Sequence, residues 1–246
     1  MRPLSKYKKR NTMSCSEKLH ISPEMKLSDV LLTNERLLLI SDRIGLPLGM
    51  GDKTITQCCR EHNLNIEMVL MLLNMYNSHA YCPEGNLNTD MIPGLIQYLS
   101  NAHFYYLNKK IPYLQKLLTR FIEDSQSKHS VLLRDFFSLY AEEVKAHMEY
   151  EDQQVFPYIQ SLLTNTENTS GYSIDEFSTH HSDIEEKLTD LKHLLIKHFP
   201  PTSDNFYRNM ILQELFDFEY DINDHNRLED IVLVPLIKQL EERKSL

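Results

Sequence analysis

One pattern occurs twice in this chain of 246 residues and limits what the chain can fold into. The stretch from His147 to Pro157 reads HMEYEDQQVFP, and the stretch from His225 to Pro235 reads HNRLEDIVLVP. Each carries a His, a Glu four residues on (Glu151, Glu229) and a Pro six residues beyond the Glu, and all three positions recur at an offset of 78. His103 and His181 are also 78 apart, and each stands 44 residues before the His of its own copy. Glu143, four residues before His147, maps by the same offset onto Asp221. One register that aligns two sets of His, His and Glu marks a duplicated two-helix unit.

Residues four apart lie one above the other on a single helix face. A His and a Glu at that spacing reach one region from one helix. Two such helices, with one further His from each of two others, supply four imidazoles (His103, His147, His181, His225) and two carboxylates (Glu151, Glu229). Four-helix bundles that point such groups inward hold two iron or manganese ions in their core. Each metal would take two His, the two Glu would bridge, and imidazole with carboxylate suits iron. Manganese and zinc accept the same ligand types. A single H-x3-E is commonly no more than a hydrogen bond on a solvated helix; two copies with equally spaced upstream histidines favour a metal site. Glu143 and Asp221 either accept the free N–H of an imidazole one turn away or are solvated helix charges.

The expected fold is all-α: an up-down four-helix bundle with a small helical domain before it. Residues 1–24 are basic and polar and are expected to be a disordered tail. Residues 25–80 read as the small helical domain, 81–94 as a linker and 95–246 as the bundle. Within the small domain, Leu27 to Leu39 seed one or two helices, Thr54 or Thr56 caps the next, and a last helix runs through Val69 to Tyr76. Adjacent Cys58 and Cys59 point about 100° apart on a helix and read as half-buried apolar residues. The four bundle helices are expected over about 93–124, 128–164, 173–198 and 204–243, with breaks at Pro112, Pro157 and Pro235. His180 breaks the register, and His129, His193 and His198 lie outside both repeats and read as solvated.

The formal charge of −9 argues against a nucleic-acid surface. That holds for the helix-turn-helix outline of the small domain too. No run of 18 apolar residues exists, so no membrane-spanning helix is expected. The N-terminus has neither the apolar stretch nor the cleavage site of a signal peptide. Cys15, Cys58, Cys59 and Cys82 form no CxxC or disulfide framework, so a reducing cytoplasm is the expected location.

The two H-x3-E-x4-[F/V]-P segments, the equal His spacing and the run Glu142-Glu-Val-Lys-Ala-His147 resemble hemerythrin-like di-iron proteins. The nearer resemblance is to the repair-of-iron-centres type, described as regulators of cell morphogenesis and nitric-oxide signalling. His181-Ser-Asp-Ile-Glu-Glu-Lys-Leu188 resembles that group's third-helix ligand segment, and Gly51-Asp-Lys-Thr-Ile55 more loosely resembles its N-terminal domain. The resemblance implies a hemerythrin-like bundle and two iron ions joined by a bridging oxo or hydroxo group, with NO or O2 as small ligand. It also implies iron–sulfur proteins as clients, their clusters being protected or restored under nitrosative or oxidative stress by NO handling or iron donation. An O2 or NO sensor signalling through the N-terminal domain is the alternative. Two departures stand out. Leu48-Gly-Met-Gly51 occupies the place of the group's Cys-Cys pair, and Phe104 occupies the place of a second His after His103. The internal register favours His103 as the ligand; otherwise the site has five ligands or the first helix is rotated.

Overall fold

The computed structural model describes residues 20–83, 87–125, 129–164, 173–174, 177, 182–200 and 205–245. Residues 1–19 of the expected tail lie outside these, and so do His180 and His181. Every regular element among the described residues is helical.

Four short helices come first: α1 (Leu27–Thr33), α2 (Leu37–Arg43), α3 (Ile55–Glu61) and α4 (Ile66–Asn77). Thr54, not Thr56, caps α3, and it does so reciprocally with Gln57. Asn65 caps α4 by accepting from the Met68 N–H. The turn between α2 and α3 places Gly45, Gly49 and Gly51 at positive φ, where a side chain is strained. Ile21, in the span read as tail, is buried, and its N–H donates to Asn74 Oδ1 at 2.8 Å. Cys58 and Cys59 are fully buried rather than half-buried, and burial raises both thiol pKa values.

After a 3₁₀ turn at Thr89–Met91 the bundle begins. Its first helix is α5 (Ile92–Tyr105) and α6 (Ile111–Ser125), joined by a π-turn at Tyr106–Lys110. The second is α7 (His129–Tyr150) and α8 (Phe156–Leu163), with a π-turn at Glu151–Val155. The third is α9 (Ser182–His193), ending in a π-turn at Leu194–His198. The fourth is α10 (Phe206–Leu228) and α11 (Val234–Ser245), with a π-turn at Glu229–Leu233. In the bundle α6 packs on α7, α7 on α9, α9 on α10 and α10 back on α6. Neighbours in sequence are thus neighbours in space, which is the up-down arrangement.

The apolar interior falls into two clusters. One joins the small helices to one end of the bundle: Leu37, Ile55 and Leu72 pack in the same body as Leu95, Leu99, Ile159 and Leu233. Gly94 allows the close approach, since a Cβ there would lie 2.5 Å from the Met68 Sδ. The second fills the other end with Tyr106, Phe137, Tyr140, Val144, Leu188, Phe218 and Ile222. Along the three bundle helices whose candidate ligands are described, the change of cluster falls near those ligands. His103 follows Leu99 and Ala102, Glu151 lies between Met148 and Val155, and Glu229 follows Ile222 and Leu228. A polar layer therefore separates two apolar ends.

Candidate metal centre

Four of the six candidate ligands meet in that layer. One ligand atom from each of His103, Glu151, His225 and Glu229 lies within 4.8 Å of the others, and all four residues are buried. His103 Nε2 is 3.2 Å from His225 Nε2 and 3.0 Å from Glu151 Oε2. His225 Nε2 is 3.3 Å from Glu229 Oε1 along its own helix. His147 sits at the edge of the layer, its Nε2 2.8 Å from Glu151 Oε1, with 9% of its side chain exposed. The two oxygens of Glu151 therefore face two different imidazoles. His181 lies outside the described residues.

This donor set fits a cation. Glu151 and Glu229 are both 0% exposed, and a buried carboxylate costs several kcal/mol unless opposite charge or a metal offsets it. Two imidazole nitrogens 3.2 Å apart both turn toward the same space. Burial alone would lower the pKa of His103, but hydrogen bonds to Asp152 and Glu151, with their charges, raise it to about 9. The site's own electrostatics therefore favour positive charge at its centre.

Apolar groups hold the imidazoles in place. Phe156 stacks on His103 with centroids 5.5 Å apart and planes 11° from parallel. Tyr106 stands edge-on to His225 at 5.6 Å. Local sequence explains the projection: both H-x3-E pairs keep the four-residue helical spacing, and each Glu is the first residue of its π-turn. Such turns are common at functional sites.

The carboxylates one turn before His147 and His225 have other partners. Asp221 holds Arg43 of α2 in a doubly bonded pair, with Nη1 to Oδ1 at 2.7 Å and Nη2 to Oδ2 at 2.6 Å, both side chains buried. Glu143 pairs with Lys187 of α9 near the surface. The carboxylate that does take an imidazole N–H is Asp152, whose Oδ1 lies 2.9 Å from His103 Nδ1. Sequence reasoning missed it, although the duplication contains the signal, since an Asp follows the Glu in both copies (Asp152, Asp230). His129, His193 and His198 are exposed, as expected from their place outside the register.

No helix among the described residues is long and apolar enough to cross a membrane. The profile of the hemerythrin HHE cation binding domain matches residues 106–237. That span is just over half of the chain and contains His147, Glu151, His181, His225 and Glu229, while His103 stands shortly before it. No curated protein matches the chain.

Proposed function

The chain belongs to the hemerythrin HHE cation-binding family, and from that premise we propose that its bundle holds two iron ions for small-ligand chemistry in the repair of iron–sulfur centres. His103 and His225 would serve one ion, His147 and His181 the other, and Glu151 and Glu229 would span both. The small helical domain over 25–80 and the bundle over 95–246 would act as one unit. The observation that carries this reading is Glu151, buried completely, with one oxygen toward His103 and the other toward His147. When bound, iron supplies Lewis acidity and one-electron redox chemistry toward NO or O2.

The chain's own residues prepare that chemistry. The two clusters above and below the layer keep bulk water from His103, Glu151, His225 and Glu229, which strengthens every charge interaction among them. Phe156 and Tyr106 fix the imidazole planes. His147, partly exposed, marks the side of the layer nearest solvent.

Anaerobic reconstitution with ferrous iron, followed by metal analysis and an optical spectrum in air, tests the proposal. Two irons per chain, lost in His147→Ala and in His103→Ala, are expected. A parent chain that takes up no iron would refute it. Retention of both irons in His103→Ala would remove that residue from the set.

The continuity between the small helices and the metal layer favours a second reading, a sensor that signals through the N-terminal domain. Arg43 grips Asp221 one turn before His225. Reversible NO or O2 binding without iron transfer to an apo iron–sulfur protein would select the sensor. Iron delivery would select repair.

A further inference from the structure

The two imidazoles that meet at the centre are held in different ways. His225 Nδ1 has no hydrogen-bond partner among the described residues. His103 Nδ1 lies 2.9 Å from Asp152 Oδ1, and the Ser100 hydroxyl donates to the same oxygen at 3.4 Å. His103 is 1% exposed and Asp152 39% exposed at the side chain. A carboxylate in that position only accepts, so His103 Nδ1 must carry the proton. Its Nε2 faces Glu151 Oε2 at 3.0 Å and His225 Nε2 at 3.2 Å, and is the nitrogen that would be left to turn a lone pair to a metal in the layer.

We propose that Asp152 is a positioning residue of the metal centre, fixing the tautomer and ring plane of His103 and strengthening it as a ligand. The assignment rests on the metal reading given above. Its geometry follows from helix periodicity. Glu151 and Asp152 are adjacent, so their side chains diverge by about 100°. Glu151 enters the layer, and Asp152 turns toward α5 and reaches the imidazole from behind. One dipeptide thus supplies a bridging carboxylate and the orienting partner of a ligand on the neighbouring helix. The same Glu-Asp dipeptide recurs at Glu229 and Asp230. Carboxylates behind metal-bound imidazoles commonly change metal affinity by about 10- to 100-fold.

The test compares the full chain with Asp152→Ala, Asp152→Asn and Asp152→Glu. Each is reconstituted with ferrous iron under anaerobic conditions and titrated with a chromophoric chelator. Thermal unfolding is followed in excess chelator. Asp152→Ala is expected to hold iron about 10- to 100-fold more weakly. Asp152→Asn should fall between it and the parent, because the amide oxygen still accepts but carries no charge. Asp152→Glu should recover most of the affinity. In chelator Asp152→Ala should unfold somewhat below the parent, because it strands the buried Nδ1–H of His103, but by less than its loss of iron affinity, and Asp152→Glu should unfold close to the parent. Parent-like affinity in Asp152→Ala would overturn the assignment. So would a loss of affinity matched by an equal loss of stability in chelator, or by no recovery in Asp152→Glu. A parent that takes no iron would instead overturn the metal reading, and this assignment with it.

Discussion

At the scale of single residues, the centre is defined by buried charge. Glu151 and Glu229 have no access to water, so their charge has to be offset by the metal or by the imidazoles around them. With metal bound, Glu151→Gln should lose metal and stability, because an amide nitrogen has no lone pair to bridge with. In excess chelator the loss should be smaller, because only the pairing of Glu151 with His103 and His147 is then at stake. Thermal unfolding of both proteins, with and without iron, checks this. An equal loss in the two conditions would refute it. The duplication made these ligand candidates legible, because an offset of 78 repeated for His, Glu and Pro has no local explanation. The partners were less legible. Asp152 lies beside a ligand rather than at a ligand spacing. The link from Arg43 to Asp221 spans 178 positions, and nothing local in either segment announces it.

At the scale of elements, the prolines tell more than where helices bend. Each π-turn is closed by a donor immediately before a proline. The Ile111 N–H bonds Tyr106 O, Phe156 bonds Glu151 O, Phe199 bonds Leu194 O and Val234 bonds Glu229 O, and Pro112, Pro157, Pro200 and Pro235 follow. A proline inside an α-helix lacks the N–H and its ring strikes the carbonyl four residues back. Widening the step to five residues relieves that clash. The sequence announces the break but not its form, because one extra residue in a turn leaves apolar spacing on both sides nearly intact. Packing decides whether the π-turn survives without its proline. Reverting the turn after Glu151 to α geometry would rotate Phe156, Ile159 and Leu162 by about 100°. All three are buried, and each is worth about 1.5–3 kcal/mol in place. That outweighs one recovered hydrogen bond, worth about 0.5–1.5 kcal/mol. Pro157→Ala should therefore keep the parent's metal content. It should lose only about 0.4–1 kcal/mol, through a freer unfolded chain. Metal analysis and denaturant unfolding read both quantities, and lost iron would show that the proline itself holds the turn.

At the scale of the whole molecule, the small helices and the bundle share an apolar body, and the polar contacts across their boundary are made largely by arginine. Arg36 lies over the Tyr220 ring at 3.8 Å, and Arg227 Nη1 donates to Met75 O at 3.2 Å. Arg43 enters furthest. It pairs with Asp221, and its guanidinium lies 5.1 Å from the Tyr106 ring centroid, the ring that also faces His225. A buried ion pair adds little over an apolar pair of the same shape, but breaking one partner is costly. Arg43→Met should therefore cost about 3–5 kcal/mol, by stranding Asp221 in the interior. Adding Asp221→Leu should restore most of it. Arg43→Lys should not substitute, because it cannot make both bonds. Because Leu37, Ile55 and Leu72 pack in one cluster with Leu95 and Leu233, the parent should unfold in a single transition. Arg43→Met should move that transition without splitting it. Denaturant unfolding, followed by helical circular dichroism and by tyrosine fluorescence, reads this directly. Two separated transitions in the parent would mean that the apolar seam joins two bodies that open independently. The metal layer would then have to be stable without the helices that precede it.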